Sequence, residues 1–291
     1  MKKYINIGSL ADNNYSQHLG VTLYSLLQNC SDTSRIRLFI IDGGYSKENR
    51  KKLDETCGKF GVKINYIKPD LKMLVGLKIL DKFTIATYYK YCLIEAVKVG
   101  KFLYLDSDLV VEKDVAILYD RKFEGNIAFA VEDHDITHEK KMNIGHAKHD
   151  PYFNAGVLII DMKNWKKNKI TQKSIDFIRK NPEKVSFADQ DGLNYALKGK
   201  WKKLDISWNS LAKSFYFKKK QNYRNLIIHY AGFMKPWNFI DVIPYKQRYQ
   251  YYVRQTPWKN TNYVDKGFVN AVNRLKKWII FILKKISGNA G

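Results

Sequence analysis

The chain has 291 residues, 45% hydrophobic and 14% aromatic, enough for one large domain, alone or with appendages, around a real core. Its 51 basic residues against 28 acidic ones leave a net charge of +23, so the surface attracts anions: nucleic acid, anionic lipid and phosphorylated small molecules all fit. Cys30, Cys57 and Cys92 lie far apart without a Cys-x-x-Cys and read as reduced thiols of a cytosolic protein, and the first apolar stretch, interrupted by Asn6, Gly8 and Asp12, is not that of a signal peptide.

Candidate strands and helices alternate along the chain. Tyr4 to Gly8 reads as the first strand, after which Leu19, Leu23, Leu26 and Leu27 share one helical face. The second strand, Arg35 to Asp42, precedes a helix over Lys47 to Phe60 with Ser46 as its N-cap. Val62 to Lys68 is the third strand, and Ile85, Tyr89, Cys92, Leu93 and Ala96 share the next helical face. Phe102 to Asp106, Ile127 to Glu132, Gly156 to Asp161 and Asn225 to Ile228 complete the strands. This alternation predicts an α/β fold with a Rossmann-like, mostly parallel sheet flanked by helices and ligands at the carboxyl ends of its strands. Asp12, Asp42, Asp106 and Asp133 fall at or just past such ends.

The most informative segment runs from Phe102 to Val111, an apolar strand broken by Asp106-Ser107-Asp108. Residues i and i+2 of an extended chain point the same way, so the two carboxylates are expected to aim at one point at the strand end. Two hard oxygen ligands there suit Mg²⁺ or Mn²⁺ carrying a diphosphate, although the bare tripeptide also reads as a solvated turn.

Other segments offer matching groups. Asp12-Asn13-Asn14-Tyr15 after the first strand has polar side chains and a ring for a base and ribose, and by itself also reads as a turn. Asn154-Ala155-Gly156 has small residues that let a ligand approach the backbone. Asp189-Gln190-Asp191 opens a helical run with carboxylate and amide groups for sugar hydroxyls. After the strand Asn225 to Ile228, His229 offers an imidazole as a third metal ligand, and Gly232 and Lys235 are placed to meet phosphate. His134, His138, His146 and His149 lack the glutamate or cysteine expected of a zinc site and read better as a polar, mobile loop over an acceptor cleft.

From Lys266 onward there are six basic residues and no acidic one. Phe268, Ala271, Val272, Leu275, Ile279, Ile282, Leu283 and Ile286 form an apolar helical face opposite Arg274, Lys277 and Lys284, the pattern of a helix lying on an anionic membrane. The apolar run Trp278 to Leu283 is far below the ~20 residues of a spanning helix. No nucleic-acid motif accompanies the charge, so no nucleic-acid partner is expected.

Taken together these segments resemble glycosyltransferase family 8, the retaining nucleotide-sugar transferases, from about Tyr4 to Trp258. The resemblance implies a glycosyltransferase A type fold, a UDP-sugar donor and Mn²⁺, with Mg²⁺ as the alternative. Asp106, Asp108 and His229 match the family's metal ligands, and Asp12, Asn14 and Tyr15 its uridine segment. Gly232 and Lys235 match its diphosphate contacts; Asp133, Asn154, Asp189 and Gln190 match residues around the transferred sugar, the last two at the reaction centre. Lys90 departs from the arginine of bacterial galactosyltransferases, keeping the charge without the planar fork that pairs with two oxygens at once.

The expected activity is transfer of a galactose or glucose from a UDP-hexose to a hydroxyl of a glycan, glycolipid or glycoprotein. Residues 1–258 would form the catalytic domain and 259–291 a basic tail holding it at the inner face of the plasma membrane. A sugar nucleotidyltransferase would share the fold and metal, but Ser9 to Tyr15 contains none of that class's loop glycines. A non-catalytic polybasic membrane binder leaves Asp106, Asp108 and His229 unexplained.

Overall fold

The computed structural model describes residues 3–80, 84–216 and 221–261, with residues 272, 273, 275, 276, 279, 280 and 283 of the tail. Its strands are β1 (Ile5–Asp12), β2 (Ile36–Gly43), β3 (Ile64–Ile67), β4 (Lys101–Leu105), β5 (Leu109–Val111), β6 (Ala128–Glu132), β7 (Phe153–Asp161), β8 (Trp201–Leu204), β9 (Ser210–Leu211) and β10 (Ile227–His229). The helices are α1 (Ser16–Gln28), α2 (Lys47–Gly58), α3 (Tyr89–Ala96), α4 (Val115–Tyr119), α5 (His138–Asn143), α6 (Met162–Lys167), α7 (Ile170–Lys180), α8 (Asp189–Ala196) and α9 (Lys246–Val253).

The large sheet has seven strands in the order β3-β2-β1-β4-β7-β6-β8, and a small sheet has the order β5-β10-β9. β1 is buried on both faces, which is why it reads as an apolar run without alternation. It continues past Gly8 to Asp12 in unbroken register with β2, and the Phe102 ring lies where a Cβ on Gly8 would sit. The Ser46 hydroxyl caps α2 through Asn49 N, and Leu19, Leu23, Leu26 and Leu27 of α1 are buried together as their spacing predicts. Gly20 of α1 lies against the Trp258 indole, so residues after α9 close back on the first helix. Cys30, Cys57 and Cys92 are free thiols.

One strand of the large sheet departs from the parallel pattern. β7 runs antiparallel to both β4 and β6, while β1–β2, β1–β4, β2–β3 and β6–β8 are parallel. The chain leaves β6 at its carboxyl end, makes a local excursion through α5 and re-enters the sheet from that same end, so no crossover intervenes. As a result the start of β7, at Asn154-Ala155-Gly156, lies beside the carboxyl ends of β4 and β6. β7 starts at Phe153 rather than Gly156.

Asp106-Ser107-Asp108 also differ from the expected conformation. These residues are not extended strand: they form the bend between β4 and β5 where the chain passes from the large sheet to the small one. β5, β8 and β9 have two to four residues each and lack a periodicity long enough to read.

Of the tail's predicted apolar face, Phe268, Ala271, Ile282 and Ile286 lie outside the described residues, as do the basic Lys266, Arg274, Lys277, Lys284 and Lys285. Leu275, Ile279 and Leu283, with Ile280, are helical and exposed. Among the described residues no helix is long and apolar enough to cross a membrane.

Candidate active site

Asp106 and Asp108 reach the site from the bend after β4, and His229 from the end of β10, which pairs antiparallel with β5 and brings His229 opposite Leu109. The His229 Nε2 atom lies 3.2 Å from Asp108 Oδ1 and 3.7 Å from Asp106 Oδ2. Among the described residues this is the one group of histidine, cysteine and acidic side chains close enough to share an ion. Gly156 makes the approach possible: a Cβ there would lie 2.4 Å from His229 Cε1 and 2.8 Å from Asp106 Oδ2. Two carboxylates and one imidazole in a cradle lined by a glycine fit Mn²⁺ or Mg²⁺, hard ions that take their remaining ligands from phosphate and water.

Two lysines neutralise this corner. Lys235 Nζ lies 2.7 Å from Asp108 Oδ2 and donates to Tyr230 O at 2.8 Å. Burial pushes the Asp108 carboxyl up, but the Lys235 ammonium and His229 outweigh it and hold the group far below the ordinary carboxylate range. Lys90, on α3, is buried, pairs with Asp189 Oδ2, donates to Ala155 O at 3.0 Å and lies 3.8 Å from Asp106 Oδ1. Burial works against its charge, yet Asp189 and Asp106 raise its affinity for the proton above the usual lysine value. Asp189 itself is pushed up by burial, partly offset by Lys90. Tyr104 steadies Asp106 by donating to its Oδ1 at 2.7 Å.

The groups predicted around a sugar converge at the start of β7. Gln190 Oε1 accepts from Ala155 N at 3.1 Å, while its Nε2 donates to Asp133 Oδ2 at 3.4 Å. Asn154 donates to the same Asp133 oxygen at 3.5 Å. Asp189-Gln190 opens α8 as expected, with the preceding Ala188 at φ +49°. Asp191 is not free for sugar hydroxyls: it accepts from Ser186 N, Phe187 N and Tyr152 OH at 2.6–2.7 Å, and so holds the turn that presents Gln190.

The segment after β1 reaches this corner through Trp237, whose ring centroid lies 5.2 Å from Lys235 Nζ and which also meets Tyr15. Asp12 caps the turn by accepting from Tyr15 N at 3.0 Å, Asn14 is exposed, and the Tyr15 ring meets His18 and Trp237 edge-on. Gly232 has φ +94°, so the loop from His229 to Lys235 needs a residue without a Cβ there. The histidines of 134–149 do not converge. His134 is exposed, His138 opens α5 and His146 is buried with its ring against Asn194 O at 3.1 Å, so the segment holds a helix and a packed imidazole where a polar loop was predicted. Asn209, Tyr104 and His18 carry no motif and escaped the sequence reading.

Residues 6–241 match the model of the family described as "Glycosyl transferase family 8". The chain belongs to that family. General stress protein A of Bacillus subtilis is 33% identical over 87% of this chain and 94% of its own length. Lipopolysaccharide 1,2-glucosyltransferase of Escherichia coli is 26% identical over 95% of this chain and 86% of its own. Among solved structures, the galactosyltransferase LgtC in complex with donor and acceptor sugar analogues superposes with a TM-score of 0.78 at 26% identity, covering 87% of this chain and 96% of that one. The family 8 chain is thus a sugar-transferring enzyme on a glycosyltransferase A fold.

His18 gives a pH test of this region. It stacks on Trp237 at 3.5 Å, meets Tyr249 OH at 2.6 Å, and burial followed by the Lys235 charge lowers its pKa from 6.5 to about 3. The unfolded chain takes up a proton below its ordinary value while the folded protein resists, so stability falls with acidity from that point downward, by about 1.4 kcal/mol per pH unit. His18→Gln keeps a partner for Tyr249 and should remove about 2 kcal/mol of the loss between neutrality and about pH 5. Denaturant unfolding at both pH values checks this; an unchanged pH slope in the variant would count against it.

Proposed function

We propose that this family 8 enzyme is a retaining hexosyltransferase that takes a UDP-hexose, galactose or glucose, and transfers the sugar to a hydroxyl of a glycan, glycolipid or glycoprotein. The observation that carries the reading is the Asp106, Asp108 and His229 cluster set against Gly156, with Lys90 and Lys235 paired to the surrounding carboxylates. These three residues would hold Mn²⁺, or Mg²⁺, which supplies positive charge for a leaving diphosphate. Lys235 and Gly232 would meet the diphosphate, Asp12, Asn14 and Tyr15 the uridine, and Asp133, Asn154, Asp189 and Gln190 the hexose. The relatives named as glucosyl- and galactosyltransferases support a hexose donor without choosing between the two.

The contacts also bear on stereochemistry. Asp189 Oδ2 is tied to Lys90, whose ammonium is fixed in turn by Ala155 O, and the Gln190 amide oxygen is weakly basic. Neither is a ready nucleophile. That supports attack from the leaving group's own face, with a UDP phosphate oxygen accepting the proton of the incoming hydroxyl as the acceptor oxygen bonds to the anomeric carbon. Lys90 and Lys235 provide fixed charge while negative charge builds on the diphosphate.

Three outcomes are expected. Asp108→Ala, and Gly156→Ala through its methyl in the cradle, should each lower Mn²⁺-stimulated UDP-hexose hydrolysis and transfer by about 100-fold or more, since even outer contacts of such sites are worth 10–100-fold. Full turnover by these variants, or by the unaltered enzyme in excess chelator, would sink the metal assignment.

Gln190→Ala should lower kcat by roughly 100-fold and leave UDP affinity near wild type, the mark of an interaction made chiefly in the transition state. A parallel loss of UDP binding would mean the donor lies elsewhere.

The tail, with exposed Leu275, Ile279, Ile280 and Leu283, would hold the domain of residues 1–258 on anionic membrane at the inner face of the plasma membrane, each surface-near basic residue contributing about 1 kcal/mol. Truncation before Lys266 should release the protein from anionic vesicles at low salt while hydrolysis survives. Indifference of the full chain to such vesicles, or unfolding of the truncated one, would refute the anchor.

A further inference from the structure

The imidazole of His229 is not held by the carboxylates alone. Its Nδ1 lies 2.8 Å from Asn209 Oδ1, and Asn209 Nδ2 donates to Asn154 Oδ1 at 2.8 Å. Asn154 Oδ1 also accepts from the backbone N–H of Gly156 at 3.0 Å, and Asn154 Nδ2 faces Asp133 Oδ2. Asn154, Asn209 and His229 are all buried. Asn209 sits just before β9, which pairs parallel with β10 so that Ser210 lies opposite Ile228, and this pairing carries its side chain alongside His229.

The direction of every bond in this chain follows from one group that cannot turn round. A backbone N–H only donates, so the atom of Asn154 facing Gly156 N must be the oxygen. That oxygen can only accept from Asn209, which therefore offers its NH₂ to Asn154 and its oxygen to His229. An oxygen facing Nδ1 requires the proton to be there, which leaves the lone pair of the neutral ring on Nε2, facing Asp106 and Asp108. With the opposite amide orientation the NH₂ would press on Nδ1 and favour the tautomer that carries hydrogen on Nε2, where no metal can bind.

We infer that Asn209 is a positioning residue that sets the ligand-competent tautomer and ring orientation of His229. The chain of contacts from Asp133 through Asn154 and Asn209 to His229 also links the sugar-facing end of β7 to the ion site, so the same asparagine at 154 serves both. The inference rests on the metal reading above, in which His229 Nε2 is a ligand.

The test is Mn²⁺ titration of the nucleotide-free protein, with free ion followed by electron paramagnetic resonance and folding checked by thermal melting. Asn209→Leu removes the acceptor at similar volume and should weaken Mn²⁺ binding by about 10–100-fold, the usual worth of such an outer contact. Asn209→Asp keeps an oxygen for Nδ1–H while losing the donor to Asn154, and should bind Mn²⁺ within about threefold of wild type or more tightly. Folded Asn209→Leu with wild-type affinity overturns the inference, as does Asn209→Asp that is folded yet as weak as the leucine variant. If the leucine variant does not fold, the aspartate variant alone decides. Failure of the unaltered protein to bind Mn²⁺ would instead remove the metal reading itself.

Discussion

The structure depends on gathering four carboxylates at one end of a buried sheet without letting their charges repel the fold apart. Asp106, Asp108, Asp133 and Asp189 all converge where β4, β6 and β7 meet, and a carboxylate taken out of water costs several kcal/mol unless it is paired. Lys90 and Lys235 answer that cost from opposite sides. Lys90 joins Asp189 and Asp106 beneath the start of β7, and Lys235 clamps Asp108 from the loop after β10. In a protein with 51 basic residues, Lys90 is buried and Lys235 largely covered, each in an ion pair with these carboxylates.

The topology is what makes the convergence possible. In a strictly parallel sheet the carboxyl ends of neighbouring strands face the ligand and the amino ends lie on the far edge. Reversal of β7 places the beginning of that strand among the ends of its neighbours, so Asn154, Ala155 and Gly156 join Asp106 and Asp133 at one edge. The bend at Asp106-Ser107-Asp108 then hands the chain to the small sheet, whose β10 returns His229 to within reach. Gly156 of the large sheet lies against His229 of the small one, and the absence of its side chain is what allows imidazole and carboxylate to meet.

The same scaffold serves relatives named for glucose and for galactose, sugars that differ at one hydroxyl. At this edge Asp133, Asn154 and Gln190 are tied to one another and Asp189 is tied to Lys90. Gln190 is oriented at both ends of its amide, by Ala155 N and Asp133, and the turn that carries it is fastened by Asp191. An amide so held has little freedom left to lose when a ligand arrives.

Much of this was legible in the residues. Strands such as β1, β2 and β4 are legible as apolar runs, the leucine face of α1 by its helical spacing and the start of α2 by its serine cap. Asp106, Asp108 and His229 were visible as hard and borderline ligands beside strand ends, and the match to family 8 ordered them. What local pattern cannot contain is direction and distance. Nothing in the composition of residues 153–161 says that the strand runs backwards, because hydrophobic burial is the same either way. Asp191 and Lys90 look like solvent-facing or ligand-facing charges until the fold supplies Tyr152, two backbone N–H groups and Asp189 as their partners. Asn209 has no motif at all: its importance arises from a parallel pairing of two-residue β9 with β10, a contact between segments twenty residues apart that only closure of the tertiary structure brings within hydrogen-bonding range. The sequence determined which chemical groups were available and which segments would be buried; the tertiary structure decided which of those groups face each other, because charge pairing and hydrogen bonding act over a few ångströms whatever the separation along the chain.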